Sequence, residues 1–180
     1  MSNPKFVAIS GSLRSGSFNT AVLNALKERY ADKADITVFP LNDIPLFNQD
    51  DEENPAQSVE ALRQALRDSD GLIVSSPEYN HGTSGVLKNS LDWASRPFGQ
   101  SSYKDKPVLL MTASPAATGG VRAHNELYNA FLASNCDLVA GPQIAIAAAH
   151  SKIEGDKLTD QGTLEFIDQQ FAKLLAKAGA

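Results

Sequence analysis

Apolar and polar positions along this chain fall into two rhythms that alternate from end to end. "KFVAIS" (5–10) is a short β-rich run closed by Gly11, and from Ser17 the rhythm turns helical, with Leu23, Leu26 and Tyr30 three and four residues apart. Asp35 to Leu41 reads as a second strand. A polar, proline-bearing connection then leads to a helix from about Ala56, with Val59, Leu62 and Leu66 on one face. Residues 70–77 and 106–114 are nearly unbroken apolar strands. The helix between them sets Leu87, Leu91 and Trp93 near one face, which makes Trp93 a core residue. Gly119 and Gly120 precede a helix carrying Leu127, Phe131 and Leu132. Asp137 to Ala147 supplies a fifth strand with a bend at Gly141–Pro142, and the last helix carries Leu164, Ile167, Phe171 and Leu174 on one stripe.

Five strands thus alternate with five helices, and no strand pair is joined by a two-residue hairpin. Continuous apolar runs belong to strands covered on both faces. The pattern predicts an α/β fold: a doubly wound five-stranded parallel sheet, order 2-1-3-4-5, with helices on both faces. Residues 1–180 are expected to form a single domain, without repeats or linkers.

Composition narrows the functions. A chain of 180 residues, 42% hydrophobic, can bury one full core. Its net charge of −5 argues against a nucleic-acid binder, whose footprint is a basic face. No apolar run approaches the roughly 20 residues that span a bilayer. "MSNPKFVAIS" reads as the mature start of the fold, and a cytoplasmic location is expected. Cys136 is the sole cysteine, which excludes an internal disulfide and a cysteine-cluster metal site; it reads as an inert small hydrophobe.

In sheets of this type ligands sit beyond the carboxyl ends of the strands, near the switch point between the first and third. The loop there, "SGSLRSGSFNT", packs four serines, two glycines, Arg14, Asn19 and Thr20 between a strand and a helix. Hydroxyls, unpaired helix-start N–H groups and a guanidinium favour an anion, with phosphate the obvious candidate. No Gly-Lys-Ser/Thr ending and no Gly-x-Gly-x-x-Gly occurs, so neither standard nucleotide loop applies. The plainer reading makes the serines helix caps and turn formers, with Arg14 solvated.

The third strand ends in "SSPEYNHGTSG". Pro77 takes the chain out of the sheet and restricts Ser76. Backbone N–H and C=O groups of this turn are then expected to face the crevice, suited to the edge of a planar heterocycle, with Tyr79 and Asn80 adding an aromatic face and an amide. Gly82 and Gly85 would allow close approach. Glu78 is either a general base or, as the preferred reading, a strut bonded to backbone.

"GSLRSGSFN" after the first strand and "PEYNHGTSGVLKNSLDW" after the third resemble the NADPH-dependent FMN reductase family, as do "LNDIPLFNQD" and "TASPAATGGVRAHNEL". That flavodoxin-like family includes flavin, chromate and quinone reductases and some azoreductases. The resemblance implies that Ser10, Ser12, Arg14, Ser17, Phe18 and Asn19 hold the FMN phosphate. It implies that Pro77, Glu78, Tyr79 and Asn80 lie along the isoalloxazine ring, and that the Ser114-to-Gly120 loop, with Ser114 and Gly119, closes its other side. Ala116, Ala117 and Gly120 leave room there. NADPH or NADH would reduce the flavin, and an acceptor (quinone, chromate, azo compound or free flavin) would take two electrons in a ping-pong cycle. No side chain need move a proton in the hydride step, so no catalytic residue is assigned. A homodimer or homotetramer is implied, with residues 93–103 and 122–128 as candidate surfaces. Ser84 departs from the family pattern, which often has proline there, and this bears on acceptor choice.

Other chemistries fare worse. "HGTSG" fails as a nucleophile elbow, because Val86 stands where the second glycine belongs. The histidines at 81, 124 and 150 show no metal-ligand spacing. His124 and His150 read as surface or capping residues, while His81 could line the acceptor pocket. The main rival is a non-enzymatic, flavodoxin-type FMN electron carrier, followed by a flavin-binding stress or regulatory module.

Overall fold

A computed structural model describes residues 3–179. Its sheet is built from β1 (Lys5–Ser10), β2 (Asp35–Phe39), β3 (Gly71–Ser76) and β4 (Pro107–Ala113), followed by an edge in two pieces, β5 (Asp137–Leu138) and β6 (Ile144–Ile146). All pairings in it are parallel, and the order is β2-β1-β3-β4-β5, with β6 also on β4. The helices are α1 (Phe18–Arg29), α2 (Gln57–Arg67), α3 (Gly85–Ala94), α4 (Val121–Ala133) and α5 (Gln161–Lys177). The predicted order and helix number are both observed.

Strand alternation divides the core in two. Phe6, Ala8, Ile73, Leu109 and Met111 pack with apolar residues of α1 and α5. Their neighbours Val7, Ile9, Leu72, Val74, Val108 and Leu110 pack with residues of α2, α3 and α4 on the opposite face. Every residue of β3 and β4 is buried. Each large aliphatic side chain so covered stabilises the fold by about 1.5–3 kcal/mol, which explains why these strands lack polar alternation.

Helix ends are set by short polar residues. The Ser17 hydroxyl accepts the Thr20 N–H at 3.3 Å, Ser84 accepts that of Leu87 at 3.2 Å, and Asp160 accepts that of Thr163 at 2.9 Å. At the other end of α1, Tyr30 stacks on Phe171 with ring centroids 3.7 Å apart and donates to Asp168 at 2.6 Å.

Two expectations change. The fifth strand is interrupted at 139–143, where three extra residues shift its register against β4 from Val108↔Leu138 to Met111↔Ile144. A two-residue hairpin does exist: β7 (Ile153–Glu154) and β8 (Lys157–Leu158) pair antiparallel across Gly155–Asp156. Strands of two residues are too short to show alternation.

Candidate active site

The first loop folds back on itself. The Ser10 hydroxyl accepts the Ser12 N–H at 3.3 Å and the Thr20 hydroxyl at 2.8 Å, and Ser12 Oγ accepts the Arg14 N–H at 3.3 Å. Ser10 is buried and serves this network rather than facing outward. Gly11 closes the loop against the end of β3: a Cβ there would stand 2.9 Å from Ser84 Oγ, 3.0 Å from Ser76 Oγ and 3.1 Å from Pro77 Cδ. Only glycine allows that approach.

At the start of α1 the Thr20 N–H goes to Ser17 Oγ and the Ala21 N–H to the Ser17 carbonyl. The N–H groups of Phe18 and Asn19 are left without intrahelical partners. The Arg14 guanidinium lies over the Phe18 ring, 5.6 Å from its centroid, with no carboxylate partner among the described residues. Asn19 does a different job from the one expected of its side chain. Its Oδ1 accepts the Ala113 N–H at 3.0 Å and the Ser75 hydroxyl at 2.8 Å, and its Nδ2 donates to the Ala113 carbonyl at 3.1 Å. The amide therefore ties α1 to the ends of β3 and β4, leaving its backbone N–H to face the loop.

Across the rim, Tyr79 and Gly82 exchange two backbone bonds, 3.0 and 2.9 Å, around Asn80 (φ 49°) and His81 (φ 67°). This is a tight turn of the hairpin kind. It corrects the expectation that the turn's backbone groups all face the crevice, since both of Tyr79's are spent on Gly82. The N–H groups of Glu78 and Asn80 have no acceptor among the described residues.

Glu78 is a strut. Its carboxylate accepts the N–H groups of Arg122 at 2.9 Å and Ala123 at 3.3 Å, and the Arg122 guanidinium lies 3.3 Å away. Burial pushes its carboxyl up, but these bonds outweigh that effect and hold it below its ordinary value. The strut stands in for a cap, because Gly120, the N-cap of α4, has no side chain to supply one. Gly120 sits at φ 88°, and a Cβ would lie 3.1 Å from that of Thr112, so the position demands glycine. Glu126, one turn further along α4, accepts the Thr83 N–H at 2.7 Å. The turn and α4 thus hold each other at two points.

One cleft of about 370 Å³ is lined by Ser12, Arg14, Ser17, Phe18 and Asn19 from the first loop and by Pro77, Glu78 and Tyr79 from the second. Ala113, Ser114 and Pro115 complete it. Nine of the twelve candidate residues therefore converge. Ser10 lies beneath the loop, Asn80 projects from the turn, and Gly119 is packed against the Ala145 backbone. Ala113 escaped the sequence reading because its side chain carries no signal of binding, while Pro115 falls within the Ser114-to-Gly120 loop already singled out.

The sequence profile of the NADPH-dependent FMN reductase family matches residues 4–151. The chain belongs to that family. Membership makes it an oxidoreductase of the FMN- and NAD(P)H-dependent kind. Among its relatives, the quinone reductase of Pseudomonas putida KT2440 is 34% identical over 160 residues, 88% of this chain and 86% of that one. The quinone reductase of Escherichia coli K12 is 33% identical over 169 residues, covering 91% and 89%. The flavoenzyme NAD(P)H:(acceptor) oxidoreductase FerB of Paracoccus denitrificans superposes with a TM-score of 0.89 at 27% identity, covering 98% of this chain and 97% of its own.

Within this reductase the remaining candidates find plain places. Ser84 is buried and caps α3. Trp93 is core, with its indole N–H on the Pro45 carbonyl at 2.8 Å. Burial pushes the Cys136 thiol up to about 12, as suits an inert residue. His81 and His150 are exposed, but His124 is buried with Nε2 3.3 Å from the Leu110 carbonyl, which corrects its reading as a surface or capping residue. Among the described residues no cluster could hold a metal ion, and no helix is long and apolar enough to cross a membrane.

Proposed function

We propose that this chain is a single flavin-binding domain that passes two electrons from NAD(P)H to a small acceptor such as a quinone, in a ping-pong cycle. The observation that carries the proposal is the convergence of two rim loops with complementary donors on one cleft. The unpaired N–H groups of Phe18 and Asn19, the Ser12 and Ser17 hydroxyls and the uncommitted Arg14 fit a phosphate. The half-exposed Tyr79 ring and the free N–H groups of Glu78 and Asn80 fit the polar edge of a planar heterocycle. At about 370 Å³ the cleft is within the range of small-cofactor sites.

Bound FMN would supply the two-electron redox chemistry that joins NAD(P)H oxidation to acceptor reduction. The protein's part is placement. Pro77 ends β3 at the rim, Glu78 fixes the turn to α4, and Gly11 lets the two loops close on each other. Ser114 and Pro115 bound the opposite wall. No carboxylate or imidazole lies free in the cleft, because Glu78 is occupied by α4, so a cycle without side-chain proton transfer suits it. Quinone is the favoured acceptor, since several relatives that share a third of the sequence are named for it. The exposed Phe98 and Leu132 suit a homodimer or homotetramer, and the cytoplasm is the proposed location.

Anaerobic addition of NADPH to the purified, FMN-loaded protein tests the reading. The visible flavin band should bleach within seconds without a partner reductase, and a quinone should restore it. Parallel double-reciprocal plots should follow. A flavin that stays oxidised would favour the flavodoxin-type carrier, and a protein that retains no flavin would end both readings.

A further inference from the structure

The sheet edge is open at one place. β4 pairs with β5 at Pro107 and Val108 and with β6 from Met111 to Ala113, so Leu109 and Leu110, paired with β3 on one side, have no strand partner on the other. The loop opposite is held away by α5. Lys173 Nζ donates to the Ala140 carbonyl at 3.2 Å, and Gly141 lies so close that a Cβ would meet Gln170 Oε1 at 2.4 Å. Behind the loop, at the edge between α4 and α5, is a pocket of about 350 Å³ with apolar walls from Leu109, Leu138, Pro142 and Ile144. It shares no residue with the flavin cleft.

His124 lines this pocket, and the reductase reading gives it no task. Its Nε2 stands 3.3 Å from the Leu110 carbonyl, which can only accept, so Nε2 carries the proton. Nδ1 is then a bare acceptor, buried and without a partner. Burial lowers the ring's pKa and keeps it neutral. The Val108 carbonyl accepts the Val139 N–H at 2.9 Å, so strand alternation turns the Leu110 N–H two residues on toward the same open edge. The pocket thus joins apolar walls to the buried His124 acceptor and the Leu110 donor, with the amides of Asn125, Gln143 and Gln170 also lining it. A hydroxyl gives and takes a hydrogen bond at a single atom, which suits the His124 and Leu110 pair.

We propose that this edge pocket is a second binding site, separate from the flavin cleft, for a small neutral aromatic molecule carrying a hydroxyl group.

Histidine-labelled NMR on the FMN-loaded protein tests this, using phenol as probe and toluene as the same shape without the hydroxyl. The chain has three histidines, so each ring reports separately. Phenol should shift the His124 signal saturably and leave His81 and His150 in place, while toluene should bind at least about tenfold more weakly. Ala140 is an exposed residue of the pocket wall, and Ala140→Trp should abolish the His124 response with the flavin still bound. His124→Phe should erase the preference for phenol over toluene. An unmoved His124, equal responses to the two probes, or a full response in Ala140→Trp would each overturn the proposal.

Discussion

The Glu78 carboxylate accepts the Arg122 N–H at 2.9 Å across 44 residues of sequence, capping a helix whose own N-cap is a bare glycine. A residue in the rim turn after β3 is therefore committed to holding α4. Glu78→Ala should lower unfolding stability by about 1 kcal/mol, within the usual range for a lost cap. Glu78→Gln keeps an acceptor and should cost less, with most turnover retained. Because the native pKa lies below the ordinary value, the carboxylate's contribution is present above that value and is lost as pH falls through the native one. Thermal melts of wild type and Glu78→Gln should accordingly converge in acid. A collapse of NADPH-driven bleaching in Glu78→Gln with FMN still bound would make Glu78 a catalytic group instead.

Arg14 differs from Glu78 in having no ion pair to lose. Arg14→Ala should leave the melting temperature of the flavin-free protein nearly unchanged. FMN affinity should fall by roughly 1.5–3 kcal/mol, the range of a charge-assisted contact, read by fluorescence titration of the stripped protein. Equal FMN affinity in the two proteins would remove Arg14 from the phosphate site.

The parallel sheet and the two rim loops were legible because each rests on a local signal, unbroken apolar runs for β3 and β4 and a serine cap before α1, while the strand order followed from the doubly wound fold expected at this size. Glu78 was legible as a strut, though its partners were not, since nothing in "PEYN" points to residues 122 and 123. Asn19 was read as a phosphate ligand through the family resemblance of its loop, whereas its side-chain bonds run to strand ends 56 and 94 residues away. His124 misled for a different reason. A polar residue on a helix reads as surface, and only the gap between β5 and β6 shows how the sheet edge buries it.

Asn19→Ala should therefore behave unlike Arg14→Ala. It strips the Ala113 N–H and carbonyl of their partners inside a buried site. Each unsatisfied group costs about 1–3 kcal/mol. Stability and flavin retention should fall together, and denaturant unfolding followed beside flavin release should show both. Loss of flavin at unchanged stability would make Asn19 a direct ligand after all.

Asp168 supplies a check from a residue that lines neither pocket. It accepts from Arg29 at 2.7 and 2.6 Å and from the Tyr30 hydroxyl at 2.6 Å, fastening α5 to the end of α1. The Arg29 hydrogen bonds lead in holding its carboxyl below the ordinary 3.8, against a smaller opposing effect of burial. Its folded value is depressed, so its contribution exists above the ordinary value and is lost as pH falls through the lowered one. Asp168→Asn should cost about 1 kcal/mol near neutrality, a figure kept small because both partners are a third exposed. The difference should shrink as pH falls below the ordinary carboxylate value, and added salt should narrow it at neutral pH. Bleaching by NADPH should be unaffected throughout. Urea unfolding at several pH values measures this, and a gap that stays constant into acid would mean that the ion pair contributes nothing and that shape alone sets the cost of the substitution.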